Sequence, residues 1–355
     1  MVSIKDVAKQ AGVSPQTVSN VLNAPQRVRP QTQKAVETAI SQLGYLPNAS
    51  ARRLRKQRSD TIAVGISPNP HSAVYDRFLH ALAGGADAAD IRITLYKTDS
   101  HEDEIRHFTA LCAGADVDAF VLTDTTHHDP RPDWLIRHHQ TFVMFGRPWG
   151  SPRMFDPQIA WVDVDGRRGI REMTQHLILT GHRHIGLIGW PEQSGTGDDR
   201  MQGWCDALLQ ARLADEHSLK ALRIEAVDDI SAGQSACVEL LDRQPDIDAL
   251  VCVSDTLATG AMMASPDGLA ITGFDNTPTA QSLGFSSIEQ NMPNIAHEIL
   301  RIIDEKLRLT AQSAPGTTNI PGASSENAHN EGDHNQVASK TMNWHALLKP
   351  SLVIR

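Results

Sequence analysis

The chain has 355 residues, more than one hydrophobic core usually organises, so at least two structural units are expected. At 40% hydrophobic and 21% charged it reads as neither a wholly disordered chain nor a membrane protein. Its formal charge of −9, with 33 Lys+Arg against 42 Asp+Glu, argues against a polyanionic partner if the charge is spread evenly.

The charge is not spread evenly. Residues 1–60 carry ten basic side chains against three acids, a net +7, which leaves −16 on the remainder. Such asymmetry suggests a nucleic-acid or anionic-surface module joined to something else. No apolar leader opens the chain, and no apolar run reaches the ~20 residues of a spanning helix, so a cytoplasmic protein without membrane contact is expected. Cys112, Cys205, Cys237 and Cys252 lie far apart with no C-x-x-C pair, which favours reduced thiols over a disulfide or zinc framework. The 16 histidines include adjacent pairs that share no helix face, and no metal site is expected from them.

In chain order, Ser3 and Asp6 can form a capping box for a helix whose stripe is Ile4, Val7, Ala8 and Ala11, stopped by Gly12. Ser14-Pro15 starts a second helix, Ser as cap and Pro at the first position, with Val18, Val21 and Leu22 facing inward. Gln16, Thr17, Ser19, Asn20 and Asn23 are left on its polar side. Two short helices about a Gly-containing turn are a helix-turn-helix, whose second helix enters the major groove. A third helix follows Pro30, with Ala35, Val36, Ala39, Ile40 and Leu43 inward and Gly44 as terminator. Leu46-Pro47-Asn48 breaks the chain before a short stretch that Asn48 can cap.

The run I-K-D-V-A-K-Q-A-G-V-S-P-Q-T-V-S-N-V-L-N, followed by L-G-Y-L-P-N-A-S-A-R-R-L, resembles the DNA-binding headpiece and hinge helix of the LacI/GalR family of transcription regulators. The resemblance implies that Pro15, Gln16 and Asn20 read bases. Gln and Asn suit adenine bidentately, and Pro15 offers apolar contact only. It implies phosphate contacts from Ser14, Thr17, Ser19, Asn23 and Thr32, with capping or solvation as the alternative for Ser19. Arg29 stands where the family usually has a Ser cap before Pro30, and can reach a phosphate instead. Asn48, Ala51, Arg52 and Leu54 match the hinge in the minor groove, Leu54 as the wedge that unstacks a central base step. On that reading Leu54→Ala lowers operator affinity and bending while the headpiece stays folded.

From Asp60 onward short apolar runs alternate with helical patterns. Strands are expected at 61–66, 91–96, 119–122, 141–145, 185–189, 249–253, 270–274 and 352–354. Helices are expected at 74–88, 166–181, 200–214, 230–241 and 293–309. This alternation means βαβ units in parallel sheets, two of them better than one. No phosphate-binding loop and no nucleophile elbow accompanies the pattern, so a cofactor-using enzyme is disfavoured and no cofactor or catalytic residue is implied. Ligands of such folds bind in the crevice beyond the carboxyl ends of the strands. There the sequence places Arg147, Trp190, Ser254, Asp255 and Asp275, with Arg200 opening the helix after a Gly-rich loop. An Arg and an Asp converging there can grip vicinal hydroxyls. Trp190 either stacks on a pyranose face or packs.

F-V-M-F-G-R-P, V-D-V-D, H-L-I-L-T-G-H-R-H-I-G-L-I-G, D-R-M-Q-G-W and I-T-G-F-D-N extend the resemblance to the family's effector domain, a two-lobed periplasmic-binding-protein-like fold. It implies effector contacts by Arg200 and Asp275, and by His71, Asp124 and Gln290 besides the residues above. The expected organisation is a small all-α headpiece over 1–46, a hinge over 47–59 and an α/β effector-binding and dimerisation domain over 60–355. Its first lobe takes about 60–161 and 290–310, its second about 162–289 and 345–355, and 311–344 is an aperiodic insertion expected to be disordered. The whole reads as a homodimeric regulator, a repressor of carbohydrate-utilisation genes, on a pseudo-palindromic double-stranded operator, with a sugar-like effector. The alternatives are a purine- or nucleoside-responsive regulator of the same fold, a regulator driven by a partner protein, and an enzyme with a DNA-binding appendage.

Overall fold

The computed structural model describes residues 2–45, 58–66, 73–192, 194–313 and 343–355. The hinge residues Asn48, Ala51, Arg52 and Leu54, the effector candidate His71, and most of the 311–344 segment lie outside the described residues. The chain divides into two compact units, Met1–Ser59 and Asp60–Arg355.

The first unit is helical: α1 (Ile4–Ala11), α2 (Pro15–Asn23), a 3-10 turn at Pro25–Arg27, and α3 (Pro30–Leu43). The local chemistry follows the sequence closely. Ser3 and Asp6 close a reciprocal capping box on α1, Gly12 and Gly44 end α1 and α3 in the left-handed region, and Ser14 Oγ accepts from Thr17 N at 3.1 Å. Val7, Ala8, Val18, Val21, Val36 and Ala39 form the core. Ala35, expected in that core, is exposed, one position off the inward face that Val36 and Ala39 occupy.

The second unit holds two parallel sheets. The larger has the order β11-β5-β4-β3-β1-β2, with β1 (Thr61–Ile66), β2 (Arg92–Lys97), β3 (Ala119–Leu122), β4 (Thr141–Phe145), β5 (Trp161–Val164) and β11 (His345–Leu348). The smaller runs β7-β6-β8-β9, from β6 (Ile185–Gly189), β7 (Arg223–Glu225), β8 (Ala249–Cys252) and β9 (Ala270–Thr272). An antiparallel pair, β10 (Ser287–Glu289) with β12 (Ser351–Val353), completes the strands among the described residues.

Both faces of the larger sheet are covered, which is why its strands read as continuous apolar runs. Along β1, Ile62 and Val64 point into a core with Phe78 and Leu82 of α4 (Ala73–Ala88). Ala63 between them points into a separate core with Phe108 of α5 (His101–Ala113) and Leu135 of α6 (Arg131–Arg137). The smaller sheet is flanked by α7 (Gly166–Leu179), α8 (Thr196–Ala211), α9 (Glu216–Ala221), α10 (Ile230–Arg243), α11 (Asp255–Ala264) and α12 (Pro278–Leu283). Trp204 of α8, fully buried, donates its indole N–H to Ile185 O at 3.3 Å.

Connectivity corrects the expected lobe boundaries. All of β5 lies in the larger sheet, so the first lobe runs to Val164 rather than residue 161. After β10 the chain returns through α13 (Met292–Ser313), which packs on α4 and β4. The segment 345–355 is split rather than wholly in the second lobe. His345–Leu348 pairs with Trp161–Val164 in the larger sheet, and only β12 reaches β10. A single short apolar run looks the same whichever sheet receives it. Helix α13 extends through Ser313, three residues into the segment expected to be aperiodic.

Candidate functional site

In the helical unit, α2 displays the residues expected to read DNA. Ser14, Pro15 and Gln16 are exposed, Thr17 and Asn20 half-buried. Gln16 Nε2 donates to Asn20 Oδ1 at 3.1 Å, one helical turn apart, so the two amides present a single linked donor–acceptor edge. Ser19 does not fit its expected phosphate role: only 6% exposed, it sits beside Val18 on the inward arc of α2. Asn23 ends the helix, and its side chain lies outside the described residues. Arg29 precedes α3 without a side-chain cap bond and is exposed, and Thr32 is half-buried. Gln33, which the sequence reading passed over, ties the preceding loop down through Pro25 O and Val28 O.

In the larger unit the loops beyond the carboxyl ends of both sheets converge on a crevice. Arg200 is enclosed there, 5% exposed. Its Nη1 donates to Val253 O at 2.6 Å, its Nη2 lies 4.0 Å from Asp275 Oδ1, and its guanidinium sits 3.6 Å from the Phe274 ring centroid and 5.1 Å from that of Trp190. Helix α8 begins at Thr196, so Arg200 stands one turn inside it rather than opening it. Asp275 follows β9 with φ +115°. Its carboxylate accepts from Gln290 Nε2, and its carbonyl accepts from Arg77 Nη1. Arg77 also grips Glu289 with Nη2 at 2.9 and 3.0 Å.

Arg147, after β4, donates Nε to Asp163 Oδ2 at 2.7 Å and Nη2 to Asp199 Oδ2 at 2.8 Å. Its guanidinium lies 4.2 Å over the Trp149 ring. Trp149 in turn packs on Gly195, where an added Cβ would fall 2.3 Å from the indole and φ is +66°. Among the described residues, three buried polar groups of this crevice have no hydrogen-bond partner: Trp149 Nε1, Trp190 Nε1 and Arg200 Nε. Buried donors are seldom left so, and donors facing one cleft are available to a ligand's oxygens.

Burial dominates the electrostatics. It pushes the Asp275 carboxyl well above the usual carboxylate range, although Arg200 pulls the other way, and raises Asp163 against Arg147. Desolvation lowers the pKa of Arg200 despite Asp275 and the neighbouring Asp163, Asp228 and Asp199. For Arg147, burial opposes the charge, but Asp163 and Asp199 outweigh it.

The other expected contacts divide. Ser254 is buried as the cap of α11, accepting from Leu257 N at 3.2 Å while donating to Asp228 Oδ1. Asp255 holds the fold together: Oδ2 accepts from Thr277 N and Oδ1 from Ser287 Oγ, both at 2.6 Å, which leaves it committed to framework bonds. The Asp124 side chain is exposed, and what is anchored is its carbonyl, by Arg131 Nη2 and His101 Nε2, each at 3.2 Å. Arg131 itself is 1% exposed between Glu104 and Asp129, each 2.6 Å away. The sequence reading missed Arg77, Trp149, Asp163, Asp199, Asp228 and Arg131. Their roles come from loops meeting in space; the V-D-V-D landmark touched Asp163 and the D-R-M-Q-G-W landmark Asp199, neither with a role assigned.

A family model described as the periplasmic binding proteins and sugar binding domain of the LacI family matches residues 60–309, and one described as bacterial regulatory proteins, lacI family, matches residues 3–48. The chain belongs to the LacI family. It is similar to the HTH-type transcriptional regulator CelR of Thermobifida fusca, 32% identical over 86% of this chain and 92% of that one. It is also similar to the HTH-type transcriptional regulator GalS of Salmonella typhimurium, 30% identical over 90% of this chain and 92% of the relative. Among solved structures, a complex of the transcriptional regulator CelR with cellobiose superposes with a TM-score of 0.67 at 27% identity, covering 100% of this chain and 99% of that one. As a LacI-family member this protein is a DNA-binding transcriptional regulator, its helical unit the helix-turn-helix and its α/β unit the periplasmic-binding-protein-like domain. Among the described residues no helix is long and apolar enough to cross a membrane.

Proposed function

We propose that this LacI-family chain is a cytoplasmic homodimeric repressor whose affinity for a pseudo-palindromic operator is set by a saccharide held in the crevice of its α/β unit, acting by binding rather than turnover. The observation that carries the effector reading is Arg200: a buried guanidinium with an unpartnered Nε, over Phe274 and beside Trp190, facing the carboxylate of Asp275. A donor and an acceptor flanked by aromatic rings suit the hydroxyls and the C–H face of a sugar. Cellobiose in the crystallised CelR points the same way. The polar edge of Gln16 and Asn20 on α2 supports base reading, and hydroxyls at the helix start, on Ser14 and Thr17, suit phosphate contacts. Exposed apolar side chains on the second lobe, Val227, Ile230, Met263 and Leu283, support self-association, and two-fold pairing demands a two-fold operator. Ligand would shift operator affinity by preferring one of two lobe arrangements. Selection of duplexes from a random library by the full chain tests the DNA half of this reading: a pseudo-palindromic consensus is expected, and enrichment of no sequence would refute it.

A further inference from the structure

We propose, resting on the carbohydrate reading above, that the crevice selects an uncharged saccharide and rejects the phosphorylated form of the same sugar. A phosphate ester needs uncommitted cations or open helix N-termini, and on the described walls the guanidinium groups are largely engaged, with Arg200 Nε left open opposite Asp275. Arg77 is engaged by Glu289 and two carbonyls, Arg147 by two carboxylates at once, and Arg200 by Val253 O with Asp275 opposite.

Several helix N-termini beside these residues carry the chain's own acids. Asp198 and Asp199 sit in the first turn of α8, and Gly195 N donates to Asp198 Oδ2 at 3.3 Å. At the start of α7, Arg167 N donates to Asp199 Oδ2 at 3.1 Å and Arg168 N to Asp165 Oδ1 at 3.0 Å. Helix α5 carries Glu102, Asp103 and Glu104 in its first turn, and α11 begins at Asp255. Of these carboxylates, Asp165, Asp198 and Asp199 accept from the backbone at the starts of α7 and α8, where a ligand's phosphate would otherwise bind.

A cavity of about 300 Å³ beyond the carboxyl ends of β1, β2 and β3 repeats the pattern. It is lined by Asp99, Glu102, Glu104 and Asp124, and its guanidinium, Arg131, is locked between Glu104 and Asp129. His101 on the same wall faces Asp129 at 3.7 Å. Neutral hydroxyls can donate to these carboxylates, whereas a dianion meets their repulsion in a partly desolvated space.

Calorimetry and melting of the full chain with glucose, galactose, maltose and cellobiose, each beside its phosphate ester and inorganic phosphate, test this. The expected result is a neutral sugar that binds, with its ester at least about tenfold weaker. An ester that binds as well or better overturns the proposal while the carbohydrate reading stands. Binding by neither class overturns the carbohydrate reading and this proposal with it. Asp228→Asn, which keeps an oxygen for Ser254 to donate to, should narrow the gap between sugar and ester. An unchanged gap would assign the selection to shape rather than charge and overturn the proposal.

Discussion

Arg147 Nη2 lies 2.8 Å from Asp199 Oδ2, so a loop leaving the larger sheet is bonded directly to the first turn of a helix that covers the smaller one. The same guanidinium holds Asp163 and covers Trp149, whose other contact is Gly195 at the start of that helix. The two lobes therefore meet through a polar latch beside Arg200 and Asp275. A hinge or shear rearrangement of the lobes would have to break this junction.

Arg147→Ala removes this junction and strands two carboxylates, one of them the buried Asp163. Breaking a buried pair from one side costs about 3–5 kcal/mol. Denaturant unfolding of the full chain should show a loss in the α/β transition of that order, while duplex binding by the helical unit persists. A change below about 0.5 kcal/mol, the size of an ordinary surface substitution, would count against the latch.

Gly195→Ala puts a Cβ 2.3 Å from the Trp149 indole at a φ of +66°. Overpacking of this kind costs about 1–3 kcal/mol, and the left-handed backbone adds to it. Trp149 fluorescence should report a displaced indole if Trp149→Phe is used to subtract the other tryptophans. An unaltered spectrum would place the indole elsewhere.

Asp275 has its pKa raised by burial, so its folded-state value exceeds its unfolded one. For such a group the neutral form favours the fold. Its favourable contribution is complete below the unfolded pKa, near 4, and is lost as pH rises through the raised folded value. Asp275→Asn removes that loss. The ligand-free variant should melt higher than the parent at neutral pH, with the gap closing toward pH 4, and should lose saccharide binding. A variant less stable at pH 7 would show that Arg200 needs the negative charge more than burial penalises it.

Gln16→Ala and Asn20→Ala each delete half of the linked amide edge on α2. A bidentate amide–base pair is worth about 1–3 kcal/mol of discrimination, so competition against mutated duplexes should show relaxed preference at particular base pairs with little change in helicity. Ser14→Ala should instead destabilise the helical unit by about 1 kcal/mol through the lost cap. Uniform weakening across all sequences by Gln16→Ala would reassign that residue to backbone contact.

Much of the fold was legible because its signals are local. The stretch 62–66 is an unbroken apolar run, and the capping box at Ser3 and Asp6 needs four residues only. The site was legible where a residue follows a strand end, as Asp275, Arg147 and Trp190 do. It was not legible where partners come from distant loops: nothing near Trp149 announces Gly195, and Gln290, named through the family resemblance, is not marked as the partner of Asp275 by anything near it. Nothing in the sequence marks Arg131 and Glu104 as a pair, and their burial together is a property of the packed cavity wall. The −9 charge misleads for a related reason, since it averages a basic DNA-binding segment with an acidic crevice-bearing body.

The most direct test of the account is fluorescence anisotropy of the full chain on its selected duplex, with and without the saccharide that calorimetry identifies, for the parent and Asp275→Asn. The account predicts a change of at least about tenfold in duplex affinity for the parent, roughly 1.4 kcal/mol of coupling, and none for the variant, whose basal binding is intact. Duplex affinity that no saccharide moves, or an equal response from parent and variant, would contradict it.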